Sequence, residues 1–285
     1  MSVAPFSLFG PVEPVWPLVI SVPHAGRCYP EIMMTAARLS TAMLRPLEDR
    51  FADALVGQAI ADGVQAVVAN TARAWIDLNR SELECDPALI DLPGGITPLL
   101  SAKVRGGLGL IPRRIASGGD VWHQRIESAD LIERIERHHR PYHQALDGLL
   151  SAVWRRFGTA ILLDVHSMPT LPASDSGAGV HIVIGDDFGR TAHDRFTARA
   201  KAAAEQHGLD AAINHPYAGG HILRKHSRPH RGRHAIQIEI DRSLYLDSAG
   251  EPRPADVEAV GRFVARLAFA LIEEAREQPL AVAAE

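Results

Sequence analysis

Apolar runs of strand length alternate along this chain with longer stretches that repeat apolar residues at helical spacing. The runs that predict strands are residues 18–22, "VQAVVAN", "AWIDL", "TAILLDV", "GVHIVIG" and "HAIQIEI". The helix-period stretches are "STAMLRPLEDRFADALVGQAIADG", Ser128 to about Phe157, "RTAHDRFTARAKAAAEQHG", and a last helix near Ala255 to Glu277. Capping residues precede the first of these stretches, and a glycine closes each of the first three. Pro141, inside the second stretch, predicts a kink or two helices.

This alternation predicts an α/β fold with a mixed, mainly parallel sheet and helices on both of its faces. The sequence shows no internal repeat and no linker, so we expect a single domain over residues 1–285 with a core at about 15–278. Residues 81–120 are a long excursion with several glycine pairs. A segment of that length inside a compact domain is more often functional than idle.

Composition and charge exclude several classes of function. The 285 residues are 46% hydrophobic and 22% charged, with a formal net charge of -4, so no global field favours nucleic acid or an anionic membrane. The sequence has no apolar stretch of roughly 20 residues and no signal-peptide pattern at its start. Two cysteines cannot form a disulfide framework. We therefore expect a cytoplasmic protein that binds neither nucleic acid nor membrane, and the sequence leaves its oligomeric state open.

Polar side chains follow three of the apolar runs, at the point where each run ends. They are His24, the segment Asp77–Arg80, and the segment Asp164–Ser167. Because ligands bind at the carboxyl ends of strands in open α/β sheets, these positions are candidates for a site.

The histidines among them suit a metal ion. His24 and His166 are each a single imidazole at the end of an apolar run, and a catalytic zinc site needs three protein ligands and one open position. Glu48 or Asp49 can supply a carboxylate, so we expect one Zn²⁺ at this site. The alternative is that each histidine is a hydrogen-bonded core or turn residue. Asp164 either orients the imidazole of His166 without binding the metal itself, or is simply a polar residue at the end of the strand.

Glu239 lies inside the apolar run "HAIQIEI", with Gln237 on the same face. Burying a carboxylate in the middle of a strand costs free energy unless the carboxylate is paired, is solvated or has a catalytic role. Glu239 therefore suits the role of a general base beside a metal site. The alternative is that this run is an edge strand with one solvent-exposed face.

Asn79, Arg80 and Arg224 are candidate anchors for a substrate carboxylate, because a guanidinium group offers a planar fork of donors. Surface salt bridges are the alternative. Cys28 is a candidate nucleophile for a metal-free thiol hydrolase, although a free cysteine more often packs inertly. His139 and His143 lack the glutamate of an HExxH motif and flank Pro141, which favours packing over zinc binding.

Taken in order, "SVPHAG", "IDLNR", "RPYH", "LLDVHS" and "GGHILRKHSRPHRGRHAIQIEI" resemble the motifs of the N-formylglutamate amidohydrolases (N-formylglutamate deformylases). The resemblance runs from about residue 18 to 247. It implies a zinc-dependent hydrolase with the phosphorylase/hydrolase-like fold, related to zinc carboxypeptidases and aspartoacylase. The reaction it implies is hydrolysis of the amide of N-formyl-L-glutamate to glutamate and formate, late in histidine degradation.

The resemblance also implies roles for individual residues. The metal ligands would be His24, Asp49 (with Glu48 as its near neighbour) and His166, and the general base would be Glu239. The substrate anchors would be Asn79, Arg80 and Arg224.

Two departures leave alternatives open. Family members often read "DTDW" where this chain has "PLEDRF", which leaves the acidic ligand open between Asp49 and Glu48. Residues 84–120 also differ from the deformylases, so another N-acyl amino acid is an alternative substrate. A binding protein for small acids that has lost catalysis is a further alternative; the set His24, His166 and Glu239 argues against it, because a pure binder has no use for a general base.

Overall fold

The computed structural model describes residues 3–115, 119–172 and 179–277. Its strands are β1 (Phe6–Phe9), β2 (Leu18–Val22), β3 (Gln65–Ala69), β4 (Arg114–Ile115), β5 (Gly119–Asp120), β6 (Ala160–Met168), β7 (Ile182–Gly185), β8 (Ala211–Ile213) and β9 (Arg233–Asp241). Its α-helices are α1 (Glu31–Ala36), α2 (Thr41–Leu44), α3 (Ala52–Leu55), α4 (Gly57–Ala61), α5 (Ala102–Arg105), α6 (Ser128–Arg134), α7 (Arg140–Phe157), α8 (Asp194–Gln206), α9 (His221–His226) and α10 (Pro254–Glu277).

Among the described residues, seven strands form one sheet in the order β1-β3-β2-β6-β9-β7-β8. Strand β6 pairs in parallel with β2 and with β9, and β7 pairs in parallel with β8. The pairing of β7 with β9 is antiparallel. The fold class predicted from the sequence, an α/β fold with a mixed and mainly parallel sheet, is therefore confirmed.

The chain divides into two compact units. The first contains residues 1–7, 23–50 and 68–145, and the second contains residues 8–22, 51–67 and 146–285. The single domain expected from the sequence stays a prediction, and its expected boundary at about residue 278 lies outside the described residues.

The core of the second unit surrounds β6, in which all nine residues are buried. Helix α10 contacts α3, α4 and α8 through a stripe of buried side chains that includes Val260, Phe263, Val264, Leu267 and Leu271. Burial of a side chain of this size is worth about 1.5–3 kcal/mol. This packing holds the central strands and therefore fixes the polar residues at their ends.

The core of the first unit contains an arginine between two tryptophans. The guanidinium carbon of Arg134 lies 3.4 Å from the ring centre of Trp75 and 4.8 Å from that of Trp122. Arg134 also donates to the carbonyl oxygen of Trp75 at 3.2 Å and to the carboxylate of Asp130 at 2.7 Å. These contacts tie α6 to the segment that carries residues 77–80.

Two predicted elements differ in the structure. The stretch from Ser40 to Gly63 is not one helix: after α2, a 3₁₀ turn at Arg45–Leu47 leads into non-helical residues 48–50, and Phe51 has φ of 59° before α3 begins. The run "AWIDL" is not a strand, although Trp75, Ile76 and Leu78 are buried as its apolar pattern indicated. Its residues form turns, in which the Trp75 N–H donates to the Ala72 carbonyl oxygen at 2.9 Å.

The long stretch from Ser128 to Phe157 is helical, as predicted, with an irregularity at Pro141. Helix α6 passes through a π-helical turn at Ile135–His139 into α7. Because Pro141 has no N–H to donate, the wider turn accommodates the missing hydrogen bond. Gly158 then ends the helix with φ of 72°. In the described part of the chain, no helix combines the length and the apolar composition that crossing a membrane requires.

Candidate functional site

His24 lies two residues beyond β2 and is almost fully buried. Its Nε2 atom is 2.7 Å from Oδ1 of Asp77. A carboxylate only accepts hydrogen bonds, so the imidazole donates from Nε2. This is the arrangement in which a second carboxylate orients a metal-ligating histidine.

Asp77 is fully buried, and two guanidinium groups accompany it. Burial alone would raise the pKa of this carboxyl group, but the positive charges of Arg73 and Arg80 hold that pKa well below its usual range. Arg73 Nε donates to Oδ2 at 2.8 Å, and the backbone N–H of Asn79 donates to Oδ1 at 2.9 Å. Asp77 is therefore an ionised acceptor with a fixed orientation.

Asp49 is the carboxylate beside the other nitrogen of His24. Its Oδ2 atom lies 3.4 Å from Nδ1 of His24, and its backbone N–H donates to the His24 carbonyl oxygen at 2.9 Å. The neighbouring Glu48 accepts instead from the Tyr29 hydroxyl group and, at 2.9 Å, from Arg50. Burial, followed by the hydrogen bond to Glu48, raises the pKa of Tyr29. Of the two acidic residues left open by the sequence, the geometry favours Asp49.

His166 has the same arrangement within the second unit. Its Nε2 atom is 2.9 Å from Oδ2 of Asp164, and the hydroxyl group of Ser21 donates to the other carboxylate oxygen at 2.7 Å. Asp164 and His166 are two residues apart on β6, so their side chains share one face of the strand. His166 is thus a second buried imidazole whose Nε2 atom donates to a buried carboxylate.

Glu239 lies on β9 directly beside His166, because the register of the parallel strands pairs these two residues. Its carboxylate accepts from the side-chain amide of Gln237 at 3.0 Å. The side chain is half-buried. Glu239 therefore remains partly solvated while it is held next to a candidate metal ligand.

Asn79 and Arg80 follow Asp77 in the first unit, and both are buried. Arg80 donates from Nε to the Leu108 carbonyl oxygen at 2.9 Å and from Nη1 to its neighbour's carbonyl oxygen at 2.7 Å. Its Nη2 atom is 3.8 Å from Asp77. Arg80 thus has a structural task in this segment, and its role as a substrate anchor stays a prediction.

Two histidines of α7 and the preceding turn hold the same segment. His139 and His143 donate from Nε2 to the carbonyl oxygens of Arg80 and Leu78, at 2.8 and 3.0 Å. Both rings are buried, which agrees with the packing role expected from the sequence. A hydrogen bond to His139, together with Arg140, lowers the pKa of Glu82 to about 2.

Arg224 lies on α9 in the second unit, where Nη1 is 3.3 Å from Oδ1 of Asp187. Asp187 follows β7, which runs antiparallel to β9 with Gly185 opposite Gln237. The chain beyond β7 therefore lies toward the amino-terminal end of β9, whereas Glu239 is near the carboxyl end. The structure does not bring Arg224 together with Glu239, and its role as a substrate anchor stays a prediction.

Cys28 is exposed, and its backbone N–H donates to the Asn70 carbonyl oxygen at 2.9 Å. In the part of the chain that the structure describes, no histidine is hydrogen-bonded to its sulfur. A thiol nucleophile needs such a base or another source of activation, so the geometry does not favour the thiol hydrolase.

Sequence reasoning missed the partners that orient the two imidazoles from outside their own strands. Asp77 belongs to the candidate segment "IDLNR", but the sequence predicts roles only for the asparagine and the arginine of that motif. Ser21, Arg73 and Tyr29 carried no signal, because each acts through a contact that residue spacing does not encode.

Comparison with known proteins places these residues in a wider context. The sequence model of the N-formylglutamate amidohydrolase family matches residues 16–246. The chain is 30% identical over 233 residues to the N-formylglutamate deformylase of Pseudomonas putida. This match covers 81% of this chain and 82% of that protein. The deformylase of Pseudomonas aeruginosa is 27% identical over 236 residues, with the same coverage.

A solved structure is similar over almost its whole length. The crystal structure of N-formylglutamate amidohydrolase from Ralstonia eutropha JMP134 superposes with a TM-score of 0.88 at 29% sequence identity, and the match covers 96% of this chain and 99% of that one. The family match spans all the segments that carry His24, Asp49, Asp77, His166 and Glu239.

Proposed function

Because the chain belongs to the N-formylglutamate amidohydrolase family, we propose that it is a zinc-dependent hydrolase of the amide bond in N-formyl-L-glutamate or a similar N-acyl amino acid. The products would be the free amino acid and formate or another carboxylate. The family membership agrees with the resemblance found in the sequence motifs.

The observation that carries the metal part of the proposal is the state of the two buried imidazoles. His24 and His166 each have Nε2 hydrogen-bonded to a buried carboxylate, and we propose that each binds the metal through Nδ1. Asp49 supplies an oxygen donor beside His24. Two nitrogens and one carboxylate oxygen suit zinc and leave one position for a substrate or water. We propose that these three residues hold one Zn²⁺.

Chain connectivity supports a common site for the three donors. Ser21 pairs with Asp164 across β2 and β6. His24 is three residues beyond Ser21, a span of at most about 11 Å, and His166 is two residues beyond Asp164.

A zinc ion bound there would supply a Lewis acid, which polarises a carbonyl group and makes water more acidic. Glu239 accepts the proton of the attacking water as a C–O bond forms to the formyl carbon and the carbonyl electron pair moves to oxygen. When the C–N bond breaks, Glu239 returns that proton to the amine nitrogen. We propose Asn79 and Arg80 as anchors for the substrate carboxylate, which would align the amide for attack.

The experiment that tests this function measures amine release from N-formyl-L-glutamate by the purified protein. The assay is run on the untreated protein, after chelation, and after zinc is restored. We expect activity to be lost on chelation and recovered with zinc. A Cys28→Ser variant, assayed beside the wild type, should retain full activity because no step uses the thiol.

Two outcomes would contradict the proposal. Activity that persists after complete removal of metal would exclude zinc. Stoichiometric zinc binding with no turnover of N-formyl-L-glutamate or of a panel of other N-acyl amino acids would exclude the hydrolase and leave a binding protein.

A further inference from the structure

A cleft of about 550 Å³ in the second unit is lined by three arginines, an aspartate and a histidine. They are Arg190, Arg224, Arg228, Asp187 and His230. We call this feature the arginine cleft. Its residues come from the loop after β7 and from α9 and the turn that follows it.

The arginine cleft lies at the amino-terminal end of β9. Thr191, which lines the cleft, accepts from the Ala235 N–H at 2.8 Å through its carbonyl oxygen. Arg228 forms an isolated bridge with Arg233, the first residue of β9. Ala235 and Glu239 are four residues apart on this strand, a separation of about 13 Å. The cleft is therefore separate from the carboxyl end of β9, where the proposed general base lies.

One carboxylate in the arginine cleft is shared by two guanidinium groups. Arg190 binds Asp187 through both Nε and Nη2, at 3.0 and 2.9 Å, and Arg224 binds the same carboxylate at 3.3 Å. Asp187 is buried, and its backbone N–H donates to the Ala218 carbonyl oxygen at 2.7 Å. This ion pair joins two exposed arginine side chains to one buried carboxylate at the rim of the cleft.

The third arginine has a different set of partners. Arg228 donates from Nη1 to the carbonyl oxygens of Ser227 and, at 3.3 Å, of Lys225. Within the described ranges of the chain, no carboxylate pairs with it. Three guanidinium charges therefore face a single carboxylate, and the cleft carries two positive charges in excess.

We propose that the arginine cleft binds a small anion with several oxyanion oxygens, a dicarboxylate or a phosphate, at a site separate from the hydrolytic centre. This proposal gives Arg224 a different role from the substrate anchor predicted from the sequence. Guanidinium forks match the geometry of both kinds of oxyanion. The excess charge and the concave shape together favour anion binding over a merely solvated surface. The inference does not depend on zinc or on the proposed reaction.

Isothermal titration of the chelated protein at low ionic strength tests the proposal with two probes, inorganic phosphate and succinate. We expect saturable 1:1 binding of at least one probe, and the tighter one identifies the class of anion. In Arg190→Gln and Arg228→Gln the Kd should rise tenfold or more. Arg262→Gln serves as the matched control, since Arg262 pairs with Glu258 on the exposed surface of α10, and its Kd should stay within twofold of the wild type.

Further variants keep the test decisive if a glutamine variant is unstable. Arg228→Lys retains the charge but not the fork, so its Kd should lie between those of wild type and Arg228→Gln. Turnover of N-formyl-L-glutamate by zinc-loaded Arg228→Gln should match the wild type. No saturable binding of either probe, equal weakening in Arg262→Gln, or a turnover loss in Arg228→Gln would each overturn the proposal of a separate site.

Discussion

At the scale of single residues, Glu239 combines two features that seldom occur together. It occupies a position in a paired strand beside His166, and its side chain is only half-buried. A carboxylate in that position is partly exposed to solvent and lies beside a candidate metal ligand, which suits the proposed role as proton acceptor for a water molecule.

Replacing this carboxylate with its neutral isostere separates chemistry from binding. We expect Glu239→Gln to lower turnover of N-formyl-L-glutamate by roughly 10²–10⁴, because the amide cannot accept a proton. Zinc content, measured by elemental analysis, should equal that of the wild type. Glu205→Gln, on the exposed surface of α8, is the matched control. Wild-type turnover in Glu239→Gln would remove this residue from the mechanism.

The sequence identifies those site residues that stand out from their immediate neighbours along the chain. His24, His166 and Glu239 each interrupt an apolar run, and Asp164 precedes His166 by the two residues that place both on one strand face. Asp77 lies 53 residues from His24 in sequence, and only the folded chain brings the two together. Spacing could not therefore predict that contact.

At the scale of elements, the broken helix between Ser40 and Gly63 has the largest effect on the site. Helical periodicity continues through residues 48–50, which is why the sequence predicts one helix. Contacts with residues outside the segment override this preference: Glu48 accepts from the Tyr29 hydroxyl group, and the Asp49 backbone N–H donates to the His24 carbonyl oxygen. Tertiary hydrogen bonds thereby place Asp49 beside an imidazole.

A double-mutant cycle on this break measures the contribution of its hydrogen bond. Tyr29→Phe should lower the free energy of unfolding by about 1–3 kcal/mol, because buried Glu48 loses the hydroxyl donor. Glu48→Gln neutralises the carboxylate, so Tyr29→Phe should cost less in that background. Urea denaturation of the four proteins gives the coupling energy. A coupling energy near zero would show that the Tyr29–Glu48 bond does not stabilise the break.

The run "AWIDL" shows why apolar pattern alone can mislead at this scale. Trp75 and Ile76 are as buried as strand residues, and the sequence records that burial correctly. The backbone, however, satisfies its hydrogen bonds elsewhere, as when the Asp77 N–H donates to the Leu110 carbonyl oxygen at 2.7 Å. Short apolar runs predict burial better than they predict strand pairing.

At the scale of the whole molecule, one buried histidine links stability to pH. Burial lowers the pKa of His234 to about 4, and its Nδ1 atom accepts from the His193 N–H at 3.4 Å. In the unfolded chain the pKa of histidine is about 6.5. Between these values the unfolded state binds a proton that the folded state lacks, so the free energy of unfolding falls as the pH drops from about 6.5 to 4.

This histidine should account for up to about 3 kcal/mol of that fall. We expect His234→Asn, which retains an acceptor but does not titrate, to show a shallower decline in the free energy of unfolding over the same pH range. The measurement is urea denaturation of the chelated protein, so that metal release does not contribute. His123→Asn removes an exposed histidine and should leave the decline unchanged. An unaltered pH profile in His234→Asn would contradict the assignment.

Strand β9 begins beside the arginine cleft and carries Glu239 near its other end, with Ile236, Gln237 and Ile238 buried between. Free-energy changes at sites more than about 7–10 Å apart usually add. Substitutions at the two ends should therefore have independent effects on function. Evolution could therefore change which anion the arginine cleft binds while selection keeps Glu239, at the opposite end of the same strand, unchanged.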